Sequence, residues 1–181
     1  MPGETEALEV LGGKTKAYQT VEVDGSIWLA ENLNLDIGEG TWFYQNDPKI
    51  GEENGRLYTW EAALKACSAL GEGWRLPTHE EWISLTRPFG GPDDFSSDGG
   101  KGAYEAFLNG TDTPFRIQFS GWRNPDGGFL GFSTDVLFWT STSWEAETAV
   151  SFRFDSNRKI LDIGPDFKSL GLSCRCISYK K

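Results

Sequence analysis

Apolar positions along this chain follow two rhythms, one near 3.6 residues and one near 2, and the second takes over at about residue 115. In YTWEAALKACSALGEG (58–73), Trp60, Ala63, Leu64, Cys67 and Leu70 recur at i, i+3, i+4 and i+7 spacing, which predicts a helix. Thr59 suits its N-cap and Gly71 its end. A second helix is expected over 79–86, burying Trp82, Ile83 and Leu85 and ending before Pro88. Its start is written in Thr78-His79-Glu80-Glu81, which has the spacing of a capping box. There the Thr78 hydroxyl accepts from the Glu81 amide, and the Glu81 carboxylate accepts from the Thr78 amide. Pro77 disfavours helix at Leu76, which fixes the boundary.

The shorter rhythm predicts strands. Thr20-Val21-Glu22-Val23, then Asp24-Gly25, then Ser26 to Ala30 has the signature of a hairpin within 18–33. GTWFYQNDP (40–48) fits either a strand or an ordered loop. Residues 88–114 are rich in turn formers, with room for a short helix at 101–108. Beyond them, FRIQFSGWRNPDGGFLGF (115–132) reads as strand, long turn with Asp126-Gly127 at its tip, and strand. VLFWTSTS (136–143), AVSFRFD (149–155), KILDIG (159–164) and GLSCRCISY (171–179) continue as a meander. Helices first and strands after predict an α+β fold with a mainly antiparallel sheet. Residues 1–17 are polar and rich in Gly, Lys and Glu, so they are expected as a flexible leader, with 18–181 a single domain.

Composition sharpens this picture. Eight Trp, twelve Phe, five Tyr and twenty-two Gly among 181 residues suggest short strands and tight turns around a core of large rings. With 17 basic against 27 acidic residues the net charge is −10, which argues against a nucleic-acid groove, because phosphate binders need a basic face. No apolar run approaches the roughly 18 residues needed to span a bilayer, so no direct membrane insertion is expected. The opening MPGETEALEV lacks the charged and apolar regions of a signal peptide.

Candidate chemistry is sparse. His79 is the only histidine, at a helix start beside two carboxylates, and reads as a solvated surface residue. One histidine and no CxxC do not make a zinc site, and no G-x-S-x-G, Walker or dinucleotide glycine motif is present. Asp93, Asp94 and Asp98 with Ser96 and Ser97 give one loop a calcium-binding composition without EF-hand spacing. No catalytic residue, cofactor or metal is therefore expected. Cys67 lies on the inward face of the first helix, while Cys174 and Cys176 share a face of the last strand. A Cys67–Cys176 bond would tie these elements and close a loop of about 110 residues, worth about 4–5 kcal/mol in the chain-entropy model. Three buried thiols are the competing reading.

The ordered set GRLYTWEAA, GWRLPTHEEW, GWRNPDGGF, FWTST and GLSCRC resembles the Fibrobacter succinogenes major paralogous domain, from about Thr20 to Ile177. That family is similar to C-type-lectin-like and formylglycine-generating-enzyme-like folds. The resemblance implies a loop-rich domain in which two helices flank the sheet, the terminal strands pair, and an irregular region presents the ligand surface. It makes GWRLPTHEEW a structural link with Trp74 and Trp82 in the core, and it matches Cys67 and Cys176 to the family's cysteines. Calcium-dependent lectins carry Glu-Pro-Asn or Gln-Pro-Asp followed by Trp-Asn-Asp, all missing here. Formylglycine-generating oxidases need a reactive cysteine pair that binds copper, whereas Cys174 and Cys176 match a structural strand. Residues 138–177 also resemble the variable segment of proteins diversified by diversity-generating retroelements.

The resemblance implies a non-enzymatic binding module, secreted or at the cell surface, for a protein or glycan ligand on another cell or surface. Any signal or anchor would lie outside this chain. A formylglycine-generating or sulfoxide-synthase-like oxidoreductase and a structural domain of a surface appendage are the alternatives. Counting outward from the landmarks Trp139, Gly171 and Arg175, the expected ligand face comprises Trp144, Glu145, Glu147, Ser151, Arg153, Asp155, Asn157, Arg158, Asp162, Asp166 and Lys168. Trp122 and Arg123 join it from the neighbouring turn.

Overall fold

A computed structural model describes residues 5–8, 16–92, 99–109 and 115–179. Strand β1 (Thr5–Leu8) pairs antiparallel with β2 (Lys16–Val23), so the stretch expected as a leader contributes a strand to a sheet. Strand β3 (Ser26–Leu29) returns along β2 after a tight turn in which Asp24 and Gly25 have φ of 50° and 79°. Two positive φ values are what a two-residue hairpin turn of matching twist requires.

Next come β4 (Thr41–Trp42), α1 (Pro48–Asn54) and β5 (Leu57–Tyr58), the two short strands pairing with each other. The Asp47 carboxylate accepts from the Lys49 amide to cap α1, and Pro48 occupies its first turn. Helix α2 (Trp60–Ser68) starts at Thr59, whose hydroxyl accepts from the Ala62 amide. Helix α3 (His79–Thr86) has both halves of the expected capping box, with Glu81 Oε2 2.7 Å from the Thr78 amide. Helix α4 (Lys101–Asn109) follows. Four α-helices are thus present among the described residues: α2 and α3 are the two expected to flank the sheet, α4 occupies the stretch with room for a short helix, and α1 is additional.

Strands β6 (Ser120–Arg123), β7 (Phe129–Phe132), β8 (Asp135–Ser143), β9 (Thr148–Asp155) and β10 (Ile160–Phe167) form a five-stranded sheet in the order β10-β9-β8-β6-β7. All its pairings are antiparallel except β6 with β8. Strand β11 (Ile177–Tyr179) pairs with β3, which brings the two ends of the chain into the sheet β1-β2-β3-β11.

The strand expected over 171–179 is mostly not a strand. Its residues instead find backbone partners on several elements: Gly171 on Arg123, Leu172 on Tyr58, Ser173 on Leu137 and Trp139. The Cys174 and Cys176 carbonyls then accept from Leu33 and Leu29. The segment runs through the middle of the molecule as a shared seam.

Period-two alternation divides the core. Val136 and Phe138 of β8, Phe152 and Phe154 of β9 and Leu161 of β10 point towards α3 and α4. Trp82 lies there, stacked 5.3 Å from Phe138 and 5.4 Å from Phe152, with Trp28 edge-on at 5.4 Å. Leu137, Trp139 and Ala149 point the other way, into a second cluster with α2, Tyr58, Trp74 and Leu172. Trp139 donates to the Tyr58 carbonyl and Trp60 to that of Thr140, both at 2.8 Å, so the buried and the half-buried indole are satisfied as well as packed. GWRLPTHEEW is accordingly scaffold.

Cys67 and Cys176 are bonded, with Cα atoms 5.4 Å apart, and Cys174 is a buried free thiol raised by burial. Arg175 between them is fully buried, donating to the Leu29 and Arg116 carbonyls and to Asn32 Oδ1. Burial lowers its pKa to about 9.

Candidate functional site

The face of β8, β9 and β10 that carries Leu137 and Trp139 is only partly covered by the α2 cluster. Its remaining positions are polar, because the pairings Leu137↔Arg153↔Asp162 and Ser151↔Gly164 put these side chains in adjacent rows. With Pro165 and Asp166 they line a groove of about 170 Å³. The Ser151 hydroxyl donates to Asp166 Oδ2 at 2.5 Å. Burial raises the Asp166 carboxyl above its ordinary range, against the opposing pull of the Ser151 hydroxyl and Arg153.

Arg153 is held in place from three sides. Its Nε and Nη2 lie 2.8 and 2.6 Å from Asp135 Oδ1, and Nη2 lies 3.6 Å from Asp155. Its guanidinium sits 5.7 Å from the centre of the Trp122 ring, and Trp122 donates to Asn124 Oδ1 at 3.2 Å. A cation braced by a buried carboxylate and an aromatic face loses little rotamer freedom when a ligand arrives, which favours binding.

The expected ligand residues divide into groups. Trp122, Ser151, Arg153, Asp162 and Asp166 come together around the groove. Ser151 and Asp155 are buried, where solvent-facing positions were expected. Asp155 turns its carboxylate to the Asn157 and Arg158 amides and so shapes the β9–β10 turn, since a buried carboxylate needs donors. Asn157 and Arg158 are exposed on that turn, Arg158 lying 3.7 Å from Asp162.

Arg123 stacks on Trp42 at 4.0 Å near the β6–β7 hairpin, away from the groove lining. Lys168 donates from Nζ to Ser143 Oγ and to the carbonyls of Glu145 and Ala146, and lies 4.5 Å from the Trp60 ring. Trp144, Glu145 and Glu147 form the β8–β9 tip. Trp144 sits opposite Thr148, and the register places that row on the other face of the strands from Arg153.

Sequence reasoning missed Asp135, Leu137 and Pro165. Asp135 was legible in principle, since it lies two residues before Leu137 on one strand face. Its pairing with Arg153 was hidden by an irregularity between Trp139 and Ser143 that resets the register of β8 on β9.

His79 is half-buried, its amide and Nδ1 3.1 and 3.2 Å from Thr142 Oγ1 and its Nε2 3.2 Å from Glu80. It packs at a helix start, away from the groove. Asp93, Asp94 and Asp98, whose loop has a calcium-binding composition, lie outside the described residues. Among the described residues no three His, Cys, Asp or Glu side chains are grouped to hold a metal, and no helix is long and apolar enough to cross a membrane.

No curated protein and no solved structure matches the chain significantly. Residues 21–178, from β2 to β11, match the model of the Fibrobacter succinogenes major domain, and the chain therefore belongs to that family.

Proposed function

We propose that the protein is a non-enzymatic binding module that takes a protein or glycan ligand at the polar face of β8, β9 and β10. The observation that carries this reading is the groove in which Ser151, Arg153, Asp162 and Asp166 converge, with Arg153 braced between Asp135 and Trp122. Hydrogen-bonding groups fixed on strands suit recognition, because little ordering remains to be done on binding. The finer fold proposed is C-type-lectin-like, supported by helices beside a mainly antiparallel sheet and by the β3–β11 pairing of the chain ends. In this reading the segment 138–177 is a diversified display surface. Of its groove residues, Asp162 and Asp166 are only partly buried, so they can change with less effect on folding than the buried Ser151 or the Asp135-paired Arg153. The Cys67–Cys176 bond is compatible with a secreted or extracellular location.

The test is a protein and glycan array probed with the folded chain, followed by titration of the best ligand. Arg153→Ala is a poor probe, since it strands the buried Asp135 carboxylate. Asp162→Ala and Asp166→Asn are better. Each should weaken binding about tenfold or more while the melting temperature stays within a few degrees. Ligands that bind both variants as tightly as the parent would overturn the assignment.

A further inference from the structure

The other face of the same strands carries a different surface. Phe167 pairs with Thr148, and the Trp144 amide donates to the Thr148 carbonyl at 2.9 Å, so Trp144, Thr148 and Phe167 form one row across neighbouring strands. Directly opposed residues point to the same face, which puts the two rings on one side, two strand spacings or about 10 Å apart. Elsewhere this face is covered by helices: α3 stacks Trp82 on Phe138 and holds Thr142 through His79. Beyond that point Trp144 is 53% and Phe167 63% exposed.

The tip is also held rigid. Besides its three Nζ contacts, Lys168 donates its amide to the Glu147 carbonyl at 2.9 Å. The Glu145 and Glu147 side chains are exposed beside the rings.

We propose that this row is a docking surface for a cationic amphipathic segment of another protein. Exposed Trp and Phe supply apolar area on a fixed frame, the composition that concentrates binding energy in interfaces. The flanking carboxylates, on a chain of net charge −10, complement Lys and Arg of a partner. The same carboxylates oppose an anionic bilayer and a second copy of this chain. This site is separate from the groove and does not depend on it.

Trp144 is the most exposed of the eight tryptophans, so acrylamide quenching of the full chain reports on it. Titration with a short amphipathic Leu/Lys helix should protect Trp144, whereas the Leu/Glu counterpart should not. Phe167→Ser, and Glu145→Gln with Glu147→Gln, should each weaken the Leu/Lys complex about tenfold. Leu130→Ser, which removes an exposed apolar group on β7, should leave it unchanged. Circular dichroism checks that each variant folds. If Phe167→Ser does not, Trp144→Ser followed by calorimetry takes its place, with the same loss expected. The proposal is overturned if these variants bind like the parent, or if the Leu/Glu helix binds equally well. Protection by anionic vesicles or a soluble glucan in place of the Leu/Lys helix would overturn it too.

Discussion

Glu81 joins three parts of the fold through one carboxylate. It accepts from both terminal nitrogens of Arg75 at 2.8 and 2.5 Å, from the Thr78 amide at 2.7 Å and from the Tyr179 hydroxyl at 2.7 Å. Burial pushes its pKa up, but the donors from Arg75, Tyr179 and Thr78 outweigh it and hold the group at about 2, against an ordinary 4.5. A carboxyl with a depressed folded-state pKa stabilises the fold at pH above its unfolded value. Its contribution should be full above about pH 4.5 and fade as pH falls towards 2. Urea unfolding between pH 2 and pH 6 checks this, and Glu81→Gln should flatten the dependence and cost about 1 kcal/mol at neutral pH through the weakened cap. An unchanged pH slope in the variant would show that other carboxylates govern acid stability.

At the level of elements, the disulfide is the strongest single tie, since it joins α2 to the central seam across 109 residues. Replacing both Cys67 and Cys176 by Ser should lower stability by about 3–4 kcal/mol with the fold retained, measured by denaturant unfolding. Legibility in the sequence varied with how local each element's causes are. Helices α2 and α3 could be read because Thr59 and Thr78 cap them and their apolar stripes are regular. Helix α1 was missed because its seven residues carry no apolar stripe, although Asp47-Pro48 marked its start. Residues 171–176 were read as strand because their composition is strand-like. Only the assembled fold shows that their partners are scattered over several elements. The groove was partly legible by parity along β9 and β10, which grouped Ser151 with Arg153 and Asp162 with Asp166. Parity also held across the irregular part of β8, where Trp139 and Ser143 oppose Ser151 and Ala149, so Trp144, five residues after Trp139, belongs to the opposite face from the residues it was grouped with.

For the whole molecule, the open border of the five-stranded sheet at β10 matters most for behaviour in solution. Pro165 has no amide to offer there, and the Ile163 amide donates to Asp162 Oδ1 at 3.0 Å. Such an edge is a poor template for another strand. Pro165→Val should therefore promote concentration-dependent association, seen by light scattering, with little change in the monomer's unfolding midpoint. The seam at 171–177 has a further consequence for how the fold is reached. It carries backbone partners for Arg123, Tyr58, Leu137, Leu33 and Leu29, so the core closes only when this stretch threads between elements far from it in sequence. Long-range closure of this kind is slow, and until it happens the helices lack a sealed core. A chain caught before that step keeps Cys67 and Cys176 apart as two thiols, so their oxidation to one bond marks the completed fold.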